Sequence, residues 1–154
     1  MRKQLVLHDP EAGAYGDCLR TSIAFMLGKS MAEVPHFMDG GPDREVCDKR
    51  VDDFLAPMGL REIQWPMDAA AFTLKQVADW FEFCNPGAAF IATVRSNAPG
   101  DWTHAIVIRS GKVALDPATG RAGRCADYNP VDSGDGDDRA FWWITVLASR
   151  GAPQ

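Results

Sequence analysis

One stretch limits what this chain can become: the tight polar loop Tyr15-Gly16-Asp17 delivers Cys18 directly into Leu19-Arg20-Thr21-Ser22-Ile23-Ala24-Phe25-Met26-Leu27, a mostly apolar helix closed by Gly28. A helix this apolar has to be covered by another layer of structure, so it predicts a central element rather than a surface one. Asp17 has the chemistry of an N-cap, and Gly28 that of the left-handed residue that ends a helix. Cys18 then falls in the first turn, where unpaired N–H groups and the helix dipole stabilise a thiolate. Free cysteines are also among the most buried residue types, so position alone leaves core packing and nucleophilic chemistry both open.

The second half of the chain supplies a partner. Trp102-Thr103-His104-Ala105-Ile106-Val107-Ile108-Arg109 has the pattern of a strand with a histidine near its start. Ser110-Gly111 turns it into Lys112-Val113-Ala114-Leu115-Asp116-Pro117, a second strand ending on an aspartate. Pairing Arg109 with Lys112 and counting outward sets Leu115 opposite Ile106 and Asp116 opposite Ala105. Asp116 is then diagonal to His104 and within reach of its ring, and a bulge would shift this by one residue. Asp101, three residues before the histidine, is a rival orienting group on a loop. A thiolate, an imidazole and a carboxylate are what acyl transfer needs: a nucleophile, an acid/base, and a group that fixes the ring.

With 154 residues the expectation is a single domain, 1–154, large enough to bury a core. A net charge of −5, with acidic residues gathered between Asp132 and Asp138, gives no basic stripe for nucleic acid. That acidic run lacks the spacing and closing glutamate of a calcium loop and is expected to be a solvated loop. The first ten residues hold too short an apolar run for a signal peptide, and no segment has the length of a membrane span, so the expected compartment is the cytosol. The four cysteines, Cys18, Cys47, Cys84 and Cys125, include no CxxC pair, which argues against a zinc ribbon or redox dithiol. No metal site is expected from them with His8 and His36.

Along the chain, residues 3 to 7 are expected to make a short edge strand, followed by a loop over residues 8–14. Ser30 and Glu33 have capping-box spacing, and Asp43 opens a helix with apolar positions Val46, Cys47, Val51, Phe54 and Leu55. Leu60 to Trp65 is extended. Thr73 starts a third helix through Leu74, Val77, Trp80 and Phe81, with Cys84 a structural residue at its end. Strands are expected at 88–95 and 140–147; of Trp142 and Trp143, one should face the core and the other an exterior surface. Helices first and strands later predict an α+β domain, with N-terminal helices packed on a C-terminal antiparallel sheet.

Gly16-Asp17-Cys18 entering an apolar helix, His104-Ala-Ile-Val-Ile, and Leu115-Asp116-Pro117-Ala118-Thr119-Gly120 together resemble the papain-like cysteine peptidases, in particular the C39 and C39-like group. With His8-Asp9-Pro10 ahead of the cysteine and Val34-Pro35-His36-Phe37 behind the helix, the pattern also resembles small papain-like proteins of phages and bacteria. The resemblance implies a papain-like fold and cofactor-free hydrolysis of peptide or isopeptide bonds in a peptide or protein substrate, inside the host cell if the chain is phage-encoded. It implies Cys18 as nucleophile, His104 as general acid/base and Asp116 as orienter. Papain-like enzymes usually carry a glutamine six residues before the cysteine, where this chain has Ala12. The second oxyanion donor is then open among Gln4, His8, Asp17 through its backbone, and Tyr15 through its hydroxyl; Trp102 is a candidate wall of the cleft. Deamidation, transglutaminase-type transfer and a binding module on the same frame are the alternatives.

Overall fold

The computed structural model describes residues 3–98, 100, 102–134 and 138–151. The helices are α1 (Cys18–Met26), α2 (Arg44–Leu55) and α3 (Leu74–Cys84); the strands are β1 (Leu60–Asp68), β2 (Ala89–Arg95), β3 (Thr103–Arg109), β4 (Lys112–Asp116), β5 (Arg121–Gly123), β6 (Val131–Asp132) and β7 (Ala140–Ser149). Among the described residues the strands form a seven-stranded sheet in the order β1-β7-β2-β3-β4-β5, with β6 paired to β7. Every pairing is antiparallel, so the class is α+β.

Local chemistry sets the helix ends. The Asp43 carboxylate accepts from Val46 N–H at the start of α2, and Thr73 and Gln76 form a reciprocal capping box on α3. Ser30 and Glu33 do the same around a 3-10 turn at Met31–Glu33. Gly28 follows α1 with φ +69, the left-handed conformation that stops the helix.

Helices pack on both faces of the sheet. Phe90, Ala92 and Val94 of β2, with Ile106 and Ile108 of β3, pack on Leu74, Val77 and Ala78 of α3. The alternate residues Ile91 and Ala105 pack with Ile23 and Ala24 of α1 and with Cys47, Val51 and Leu55 of α2. Period-two alternation sends successive strand residues to opposite faces, so a strand this apolar needs a helix on each. Truncating a fully buried residue such as Phe90 would cost about 3–5 kcal/mol.

Several expectations change. Residues 3–7 form no strand: they bend as a strap, whose Gln4 N–H donates to the Pro117 carbonyl at 2.9 Å and whose Val6 carbonyl accepts from Asp17 N–H at 3.3 Å. Val46 and Trp80 lie outside their helices' buried stripes and are exposed, as is Cys84, which therefore has no structural role in the core. Within the β3–β4 hairpin Arg109 pairs with Lys112, but the register then slips, and Leu115 sits opposite Val107 rather than Ile106. Asp101 and residues 135–137 of the acidic run lie outside the described residues. Among the described residues no helix is long and apolar enough to cross a membrane.

Candidate active site

Cys18 is the first residue of α1, and one turn later the buried Ser22 hydroxyl donates to the Ala105 carbonyl at 3.2 Å. That bond ties the start of the cysteine helix to the residue after His104. Cys18, His104 and Asp116 all line one cleft of about 730 Å³.

The hairpin slip brings the carboxylate round. Residues 104, 106 and 108 of β3 share a face, so an unbulged count, with Asp116 opposite Ala105, turns its side chain away from His104. The extra residue on β4 reverses that parity. Asp116 Oδ1 lies 2.8 Å from His104 Nε2, and both side chains are only 13% exposed. The turn that follows completes the carboxylate's setting: Ala118 N–H donates to Oδ1 at 2.9 Å, an Asx turn that gives the Asp-Pro-Ala run a physical purpose. The Tyr128 hydroxyl donates to Oδ2 at 3.0 Å.

Burial works against a charge on the His104 ring, but hydrogen bonds to Asp116 and to Cys18, with the charge of both groups, raise its pKa to about 9. Burial likewise opposes the Asp116 charge. His104, Tyr128 and Ala118 N–H outweigh it and hold the carboxyl below its ordinary range. Because Nε2 faces Asp116, Nδ1 is the nitrogen left for the Cys18 sulfur. The set can therefore take a proton from the thiol, keep it on the ring and release it to a leaving group.

Asp17 does not cap α1. Its carboxylate, with the residue only 2% exposed, turns back to accept from Leu5 N–H at 3.0 Å and Val6 N–H at 3.1 Å. No side chain caps the first turn of α1, which begins at Cys18. Asp17 thus clamps the strap, and the strap carries Gln4 and His8 to the cleft wall. The Gln4 side chain accepts and donates no hydrogen bond among the described residues, and its Oε1 is buried. Ala12 is exposed in the 3-10 turn Pro10–Ala12, before Gly13.

His8 accepts from Gly16 N–H through Nδ1 at 3.2 Å, and its ring packs at a tilt against that of Trp102, 4.1 Å between centroids. Burial lowers its pKa, against the pull of Asp9, so it is a neutral brace for the cysteine loop. Tyr15 packs edge-on against His8, 5.8 Å between centroids, and is not among the side chains lining the cleft. Trp102 does line it, and Gly100 makes room: a Cβ there would meet the indole Nε1 at 2.6 Å, with φ at +98. His36 lies away from the cleft, in the turn after Met31–Glu33.

Sequence reasoning missed Tyr128 and Trp143. Tyr128 sits in a segment with no periodicity, so nothing in its spacing marks it. Trp143 does face outward, as one of the tandem tryptophans should, but the surface is the cleft, where Arg44 lies over its ring at 5.8 Å. Trp142 is the buried one, donating through its indole N–H to the Phe72 carbonyl at 2.7 Å. Compared with family models, curated proteins and solved structures, the chain matches none of them.

Proposed function

We propose that this chain is a papain-like, cysteine-dependent hydrolase of amide bonds in peptide or protein substrates. The observation that carries the reading is the 2.8 Å His104–Asp116 contact in a cleft shared with Cys18, with His104 drawn electrostatically by both partners. The Cys18 thiol passes its proton to His104 Nδ1, and the sulfur adds to the substrate carbonyl carbon. The oxyanion is met by the Cys18 N–H and by the Gln4 side-chain amide, which takes the place of the absent glutamine at Ala12. His104 returns the proton to the departing amine, leaving a thioester on Cys18. Water then attacks that thioester with His104 as base, releasing the acid and restoring the thiol. Asp116 keeps Nε2 protonated and the ring aligned throughout.

Iodoacetamide tests this without a known substrate. Cys84 is exposed and serves as the reference thiol of the same chain, while Cys47 and Cys125 are buried. Paired with His104, Cys18 should alkylate much faster than Cys84, and His104→Ala should remove the difference. Equal rates at Cys18 and Cys84 refute the reading. Deamidation or transfer uses the same three groups, and mass spectrometry of a reacted peptide separates scission from a gain of about one mass unit or a crosslink.

A further inference from the structure

We propose that Tyr128 is a positioning residue for this site: its hydroxyl fixes the rotation of the Asp116 carboxylate and stabilises that group in its ionised form beside His104. The inference rests on the reading of Cys18, His104 and Asp116 as one catalytic set. Asp116 Oδ1 serves two donors, His104 Nε2 at 2.8 Å and Ala118 N–H at 2.9 Å. Oδ2 has the Tyr128 hydroxyl at 3.0 Å as its partner. The torsion that turns a carboxylate is soft and broad, so two contacts on one oxygen leave the other free to swing, whereas a donor on each oxygen fixes the plane.

Tyr128 is built to stay there. It follows the 3-10 turn Cys125–Asp127, whose Cys125 is 4% exposed, and the next carbonyl, of Asn129, accepts from Arg95 N–H of β2 at 2.9 Å. Gly123 of β5 leaves the space the hydroxyl occupies: a Cβ at that position would stand 3.3 Å from the Tyr128 oxygen. Burial and the Asp116 charge raise the Tyr128 pKa, so the hydroxyl keeps its proton and remains a donor across the range in which His104 titrates. A locked donor behind the orienting carboxylate is the support a preorganised site requires.

The test is the Asp116 carboxyl titration, followed by carbon-13 NMR in wild type, Tyr128→Phe and Gly123→Ala, alongside the pH profile of Cys18 alkylation by iodoacetamide. Losing a hydrogen bond to a charged group should move the Asp116 midpoint up by about one pH unit or more in Tyr128→Phe, a tenfold change in its proton affinity. The acid limb of the alkylation profile should move with it. Gly123→Ala keeps the hydroxyl but crowds it, and should shift the midpoint the same way by less, which keeps the test decisive if the phenylalanine variant folds poorly. An unmoved Asp116 midpoint in both variants, with or without a lower melting temperature, overturns the proposal. Failure of the catalytic reading looks different: wild-type Cys18 then alkylates no faster than Cys84, whatever the carboxyl midpoint does.

Discussion

Removing the Asp17 carboxylate is the sharpest test of how the cleft is assembled. Its side chain is fully buried and meets three donors: Leu5 N–H at 3.0 Å, Val6 N–H at 3.1 Å and the Arg20 guanidinium at 3.5 Å. Hydrogen bonds to a charged group contribute about 1.5–3 kcal/mol each. The strap is half-exposed, so its freed N–H groups can find water once it lifts, which holds the two bonds to the low end, about 3 kcal/mol together. The long contact to Arg20 adds less than about 1 kcal/mol, since that side chain also donates to the Val34 and Met31 carbonyls. Asp17→Ala should therefore lower unfolding stability by about 3 kcal/mol, or ~6–12 °C in melting temperature for a chain of this size. Asp17→Asn, which keeps one acceptor, should lose about half as much. Urea unfolding reads the stability, and hydrogen exchange at the Leu5 and Val6 amides reads the strap. The lifted strap also takes Gln4 from the cleft, so amide turnover should fall by roughly a hundredfold or more, the usual cost of losing one oxyanion donor. Alkylation of Cys18, which needs no such donor, should stay near the wild-type rate. Stability within about 0.5 kcal/mol of wild type with both amides still protected would refute the clamp.

Two pH effects of opposite sense and one steric effect follow from the same geometry. His104 has its pKa raised from 6.5 to about 9, so the folded state holds a proton that the unfolded chain releases; its stabilisation is full below pH 6.5 and lost as pH rises through about 9. Asp116→Asn should flatten that alkaline loss in melts run from pH 6 to 10. His8 has its pKa lowered from 6.5, so the unfolded chain takes up a proton more readily and stability falls as pH drops below 6.5. A protonated Nδ1 also opposes Gly16 N–H, and melts of His8→Phe should lack this acid sensitivity. Gly100→Ala sets a Cβ against the Trp102 indole at a φ of +98, and should cost about 1–3 kcal/mol in thermal unfolding.

The sequence by itself determined the elements whose causes are local. The Asp43, Thr73-Gln76 and Ser30-Glu33 caps, the Gly28 stop, the Ser110-Gly111 turn and the alternating apolar strands are fixed by residues a few positions apart, and their chemistry is visible in order along the chain. The cysteine in a first turn and the histidine and aspartate on one hairpin were legible for the same reason. Tertiary structure decided what depends on register and on distant partners. The slip between Val107 and Ile108 turns Asp116 onto the His104 face, and no residue type announces an extra residue in a strand. Asp17 had the side chain of a cap, yet the strap's two N–H groups outcompeted the helix for it, leaving the first turn open beside Cys18. Gln4 and Tyr128 reach the cleft along segments without periodicity, held by the Pro117 carbonyl and by β2, because their contacts are made in space between stretches that share no pattern.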